Sequence, residues 1–101
     1  MTEKETLILN YSNPKQVYKL ARKYYGDDVL ITLSTRKNKK YMIYNPESNK
    51  WVHFGQMYPP MEDFTKHKDK IRRKRFRDRN YLWAYSDKFS PAFLSYTSLV
   101  I

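Results

Sequence analysis

The residues most able to do chemistry in this 101-residue chain are cations crowded into one stretch. Between positions 66 and 79 stand Lys66, Lys68, Lys70, Arg72, Arg73, Lys74, Arg75, Arg77 and Arg79, against only Asp69 and Asp78. Lysines and arginines at this density neutralise phosphates and release their counterions, giving an affinity that falls steeply with salt. Arginine also grips carboxylates two-pronged. A merely solvated face is the plainer reading. Against it, like charges four apart on a helix repel, and Lys68/Arg72, Lys70/Lys74 and Arg75/Arg79 all stand at that spacing. The stretch is therefore expected to face an anion: nucleic acid, an anionic membrane surface or an acidic protein face. Its contact residues would be Lys66, Lys68, Lys70, Arg72, Arg73, Arg75, Arg77 and Arg79.

The other reactive types give weaker signals. His53 and His67 are the only histidines, and cysteine is absent. A zinc site would need Asp63 or Asp69 as further ligands at a spacing that fits no metal motif. No metal and no cofactor is expected, and His53 reads as a sheet residue. The pair Glu62-Asp63 suits a helix start or a local pairing with the basic run better than acid–base work. With two glycines there is no phosphate loop, and no Ser–His–Asp set or dinucleotide fingerprint occurs. An enzyme with a small-molecule substrate is not expected. Tyr41, Tyr44, Trp51 and Phe54 are candidates for stacking on bases, but a small sheet needs such rings for its own packing.

The elements that must position these residues follow from periodicity. Thr6-Leu7-Ile8-Leu9 is a short apolar run that reads as a strand. Asn13 then suits a helix N-cap, Pro14 the first helical position and Gln16 the third. Val17, Leu20, Ala21 and Tyr24 recur at helical spacing, and Gly26 suits the stop, so a helix is predicted over 14–25. Alternation over Val29, Ile31 and Leu33 predicts a strand, Tyr41–Tyr44 a second and Lys50–Phe54 a third, ended by Gly55. Turns at 36–39 and 45–49 make them an antiparallel meander, which the helix would cover on one face. After Pro59-Pro60, a basic helix capped by Asp69 is predicted over about 69–80, with Phe64 and Leu82/Trp83 as anchors. Ser90-Pro91 predicts a short final helix. The tail aromatics Trp83, Tyr85, Phe89, Phe93 and Tyr96 are expected to dock on a partner.

The fold class is α+β: a small three-stranded antiparallel sheet covered by an amphipathic helix, then a basic helix and an aromatic C-terminal segment. Length and the lack of a linker predict a single domain over 1–101, with about 1–58 forming the sheet-plus-helix part and about 62–101 the basic helix and tail. Net charge is +10, and positions 66–79 alone hold +7 of it. Aromatic residues at 17% argue against disorder. No apolar run approaches the roughly 20 residues that span a bilayer, and the start Met1-Thr2-Glu3-Lys4-Glu5 is too acidic and polar for a signal peptide.

A resemblance adds a setting. Trp51-Val52-His53-Phe54-Gly55, Glu62-Asp63-Phe64-Thr65-Lys66-His67-Lys68-Asp69, Arg72-Arg73, Phe76, Arg79-Asn80 and Ser90-Pro91-Ala92-Phe93-Leu94-Ser95-Tyr96 occur in that order. This half of the chain, about 50–99, is similar to a family of small basic proteins of large DNA viruses, of the chlorella-virus and mimivirus groups. It departs from the pattern at Met57-Tyr58-Pro59-Pro60-Met61, where a shorter, Gly-containing link is usual. The family has no established activity, so the likeness implies a viral origin and no mechanism. The resulting expectation is a non-enzymatic structural component of the virus particle, such as a minor capsid protein that contacts other capsid or virion proteins. It would reside in the virion, and in the host cytoplasm or virus factory during assembly. The alternative is a nucleic-acid-binding protein for genome packaging or expression, with the basic helix on DNA phosphates.

Overall fold

The structure, a computed structural model, describes residues 2–57, 63–94 and 96, with the backbone alone for Phe64 and His67. Two helices precede the sheet: α1 (Glu3–Ile8) and α2 (Pro14–Tyr25). The strands are β1 (Ile31–Leu33), β2 (Lys39–Asn45) and β3 (Lys50–Gln56). Then come α3 (Phe64–His67), α4 (Lys70–Arg79), a 3-10 helix (Tyr81–Tyr85) and α5 (Pro91–Leu94). The class is α+β, with a three-stranded antiparallel sheet in the order β1-β2-β3.

The first element departs from the sequence reading. The run at 6–9 is the end of a helix, not a strand, because Thr2 caps it by accepting the Glu5 N–H at 3.2 Å. Glu3 and Glu5 then lie in the first turn, where the helix dipole favours negative charge. Lys4, Leu7 and Ile8 turn inward while Glu3, Glu5, Thr6 and Leu9 are exposed, a period of three to four. Four apolar residues are too few to show that period by themselves.

Helix α2 keeps the predicted bounds. The Asn13 side chain accepts from the Gln16 N–H at 3.3 Å, Pro14 opens the helix, and Gly26 closes it at φ 100°, a conformation that costs glycine little. Val17 and Ala21 are buried.

In the sheet, Tyr41 pairs with Phe54 and Leu33, and Ile43 with Val52 and Ile31. These side chains share one face. Tyr41, Ile43 and Phe54 are fully buried with Ile8, Val17, Met57 and Leu94. The opposite face carries Thr32, Met42, Tyr44, Trp51 and His53, none of them buried. The four aromatic stacking candidates thus divide. Tyr41 and Phe54 are core, 5.8 Å apart, while Tyr44 and Trp51 form an edge-to-face pair at 5.4 Å on the open face. β3 continues two residues beyond the predicted end, through Gly55 at φ 83°, a backbone angle side-chain-bearing residues rarely adopt.

The final segment folds back on the chain. Leu94 of α5 enters the core, and Phe89 packs against that core and on Tyr25 at 5.1 Å between ring centres. The expected helix start is present, with the Phe93 N–H donating to Ser90 Oγ at 3.2 Å. The Pro59-Pro60 break, Glu62 and the terminal Leu99-Val100-Ile101 lie outside the described residues. No helix among the described residues is long and apolar enough to cross a membrane.

Candidate functional site

The root of the basic helix is set by a buried polar network. Lys40 Nζ lies 3.1 Å from Asp63 Oδ2, both side chains fully inaccessible to solvent. The Lys40 ammonium also donates to the Tyr11 carbonyl at 3.3 Å, and that carbonyl accepts the Asp63 N–H at 2.9 Å. The other carboxylate oxygen, Asp63 Oδ1, takes the Thr65 N–H at 3.1 Å and the Thr65 hydroxyl. Since the Thr65 proton goes to the carboxylate, Thr65 Oγ1 acts as an acceptor for the Asn13 N–H at 2.9 Å and for Ser12 Oγ at 3.3 Å. Ser12 in turn lies 2.6 Å from the Tyr41 hydroxyl. A carboxylate at one end therefore orients the hydroxyls in series, from Tyr41 through Ser12 and Thr65 to Asp63. Burial pushes the Tyr41 hydroxyl pKa well up, and the charge of Asp63 and the neighbouring Tyr18 raise it further.

Asp63 stands at a helix start, as the first of the two expectations has it, directly before α3 with its Oδ1 accepting the Thr65 N–H; the other expectation, a pairing with the basic run, is corrected. The charge of Asp63 is met by Lys40 of β2 instead; both side chains are fully buried, so each charge needs the other to balance it. Lys40 carried no mark in the sequence: it sits beside the polar turn at 36–39 and reads like its exposed neighbours.

From that root the chain passes Lys68 at φ 57° and enters α4. The left-handed residue puts Lys68 outside the helix, so Lys68/Arg72 is not a helical i,i+4 pair. Asp69 caps α4, its Oδ1 accepting the Ile71 and Arg72 N–H groups at 3.0 Å each. Asn80 closes it, with its backbone N–H and its side-chain Nδ2 both donating to the Phe76 carbonyl at 3.0 Å. α4 carries seven cations and one carboxylate in ten residues, and none of its residues is buried. Lys74 pairs with Asp78 at 2.7 Å, with both side chains largely in water. Phe76 anchors the helix through an edge-to-face contact with Trp83 at 5.6 Å, and the Arg77 guanidinium lies 5.3 Å from the Tyr96 ring centre. Of the predicted anchors, Trp83 holds; Leu82 does not, being 63% exposed. Phe64 has no described side chain.

The placement of the predicted contact residues follows. Lys66, Lys68, Lys70, Arg72, Arg75 and Arg79 are exposed, while Arg73 and Arg77 are half-buried. Trp83, Phe89, Phe93 and Tyr96 are half-buried, and Tyr85 stands 85% exposed beside Tyr81 and Leu82.

A cleft of about 770 Å³ opens between α4, the end of the sheet and α5. Arg72, Phe76 and Arg79 lie along one stripe of α4 at i, i+4 and i+7 and form its wall. Asn80 and Trp83 extend that wall, and Lys39 enters from β2. Gly55 of β3 also lines it. Three cations and two aromatic rings thus converge, and no acidic residue lines the cleft among the described residues. Sequence reasoning missed it because Lys39 and Gly55 are brought to α4 only by the sheet's return.

The remaining histidine candidate, His53, has a different setting. Its Nδ1 lies 2.6 Å from Ser34 Oγ, which also accepts the Arg36 N–H at 3.0 Å. Burial lowers the His53 pKa from its ordinary value, and the charges of Arg36, Lys4 and Lys39 lower it further. Lys4 donates to the carbonyls of Ser34, Arg36 and Lys39 at 2.5–2.8 Å, so this group ties α1 to the β1–β2 turn. Among the described residues no three His, Asp or Glu side chains converge as a metal site would need.

No curated protein and no solved structure matches the chain. A family of unknown function, DUF5754, matches residues 29–80, from just before β1 to the residue that closes α4. That span covers just over half of the sequence and includes Lys40, Asp63 and every cation of α4; the chain belongs to this family.

Proposed function

We propose that the protein is a non-enzymatic binding protein whose α4 holds the phosphates of a nucleic acid. The resemblance of residues 50–99 to small basic proteins of large DNA viruses supplies the setting, which is genome packaging or expression in the particle or the virus factory. One observation carries the reading: a helix with seven cations in ten residues and none buried, held at its root by the Lys40–Asp63 network and at its end by Phe76 on Trp83. A helix so polar on all sides contributes little to its own core. Its self-repulsion is relieved when phosphates replace its counterions. The test is retention of a labelled DNA at about 50 mM salt, where contacts of this kind are strong. Wild type should bind in the micromolar range or tighter. A variant with Arg72, Arg73, Arg75 and Arg77 changed to Gln should keep its fold and lose most of that binding. No retention by wild type ends the reading.

A second reading is a minor capsid protein that contacts other virion proteins. It is favoured by Tyr81, Leu82 and Tyr85, which are 61%, 63% and 85% exposed on one short 3-10 helix. Large apolar groups so exposed mark contact surfaces. That reading places many copies at fixed positions in the shell, and absence from virion mass spectrometry overturns it. It ranks second because Phe89, Trp83 and Tyr96, three of the expected docking rings, contact Tyr25, Phe76 and Arg77 of the same chain.

A further inference from the structure

We infer that the cleft between α4, the sheet end and α5 is a seat for an unpaired nucleotide, which makes the protein a binder of single-stranded rather than duplex nucleic acid. The inference rests on the phosphate-binding reading of α4 and specifies its substrate class. A convex cationic helix alone does not distinguish strands, since phosphates line both forms. The cleft does. It is concave, and its volume of about 770 Å³ falls within the roughly 300–1,000 Å³ typical of ligand clefts. Arg72 and Arg79 stand two turns apart on one stripe of α4, roughly 10 Å along the axis at 1.5 Å per residue. Phe76 lies between them. Trp83 is half-buried, so part of its ring stays open toward the cleft that it lines.

The chemistry of the lining fits one kind of ligand. Cations at both ends and Lys39 opposite suit phosphates that flank a planar group. An aromatic wall suits the face of a base, and stacking tolerates any base because each has a π face. In a duplex those faces are covered by neighbouring base pairs, so the wall has nothing to meet. Asn80 spends its side-chain N–H on the Phe76 carbonyl, which leaves its Oδ1 as an acceptor for a base amino group. An acidic peptide would be met by the same cations but would not use the rings in this way. No described residue lining the cleft is a carboxylate; Asp69 and Asp78 line the adjoining groove on the other side of Arg72 and Arg79.

The experiment measures anisotropy of labelled oligothymidylate and of a labelled duplex of equal length, at about 50 mM salt, with wild-type protein and two variants. Wild type should hold the single strand about tenfold or more tighter than the duplex. Trp83→Leu should lower single-strand affinity at least about tenfold more than duplex affinity, removing the preference. Trp83→Leu also disturbs the contact with Phe76, so Arg79→Glu is the second variant; Arg79 is exposed, and the change should leave the fold intact by circular dichroism. It should weaken the single strand at least about tenfold and more than it weakens the duplex. Thymidine monophosphate should compete only weakly, since it lacks the second phosphate; competition as strong as the oligomer's overturns the strand assignment in favour of a free nucleotide. Equal or tighter duplex binding by wild type, or a preference unchanged in both variants, overturns the cleft inference and leaves the helix reading standing. No binding of either DNA overturns both.

Discussion

Lys40 and Asp63 put two charges where water does not reach. Each is tolerated only because of the other, so removing one strands its partner. Lys40→Ala or Asp63→Ala should each cost about 3–5 kcal/mol in urea unfolding. Replacing both, as Lys40→Met with Asp63→Leu, should recover a good part of the loss, because the stranded charge is then gone. A loss below about 1 kcal/mol for either single change would show that the pair is not buried as described. His53 adds a pH dependence. Its pKa is held below 6.5 in the fold, by burial first and by the nearby cations second. As pH falls through 6.5 the unfolded chain takes up the proton before the folded one does, so the fold weakens. The contribution is complete above 6.5 and is lost as pH falls toward the depressed folded value. His53→Gln should flatten that part of the stability curve as pH falls below 6.5; a curve identical to wild type contradicts this.

At the scale of the element, α4 depends on its ends. Asp69→Ala removes the acceptor of two N–H groups and should cost about 1 kcal/mol, read as faster amide exchange across 70–79 than in β2. Changing Arg72, Arg73, Arg75 and Arg77 to Gln should leave the melting temperature unchanged or slightly raised, because like-charge repulsion is relieved. A large loss of stability would show instead that these arginines build the fold. Helices α2 and α4 were legible in the sequence because each carries its own cap, Asn13 and Asp69, and a run long enough to count. The meander was legible because Val29, Ile31 and Leu33 alternate, Tyr41–Tyr44 and Lys50–Phe54 are rich in β-formers, and polar turns at 36–39 and 45–49 separate the three runs. α1 was not, since its capping Thr2 precedes an apolar run of only four residues. α3 and the 3-10 helix are shorter still and are held by tertiary partners, Asp63 with Lys40 and Trp83 with Phe76. The Lys40–Asp63 bond joins residues 23 positions apart and leaves no local periodicity to read.

At the scale of the whole molecule, the excess charge is displayed on one side element while the sheet, α1, α2 and α5 contribute buried residues to the core. The anion-binding residues were legible as composition, since 66–79 holds +7 of the net +10. The cleft was not legible, because it needs Lys39, Arg72 and Trp83 brought from three elements. Leu94 closes the core from the far end of the chain, and Leu94→Ala should cost about 2–5 kcal/mol and loosen the segment behind the cleft. The central claim is that the cations of α4 act on phosphates, and its most direct measurement is the salt dependence of DNA affinity. A plot of log K against log salt for single-stranded DNA should have a slope steeper than about −3, and the four-glutamine variant should be shallower by about 3 units, about 0.7 for each of the four cations removed. A wild-type slope near zero, or a slope that the four substitutions leave unchanged, would contradict the account.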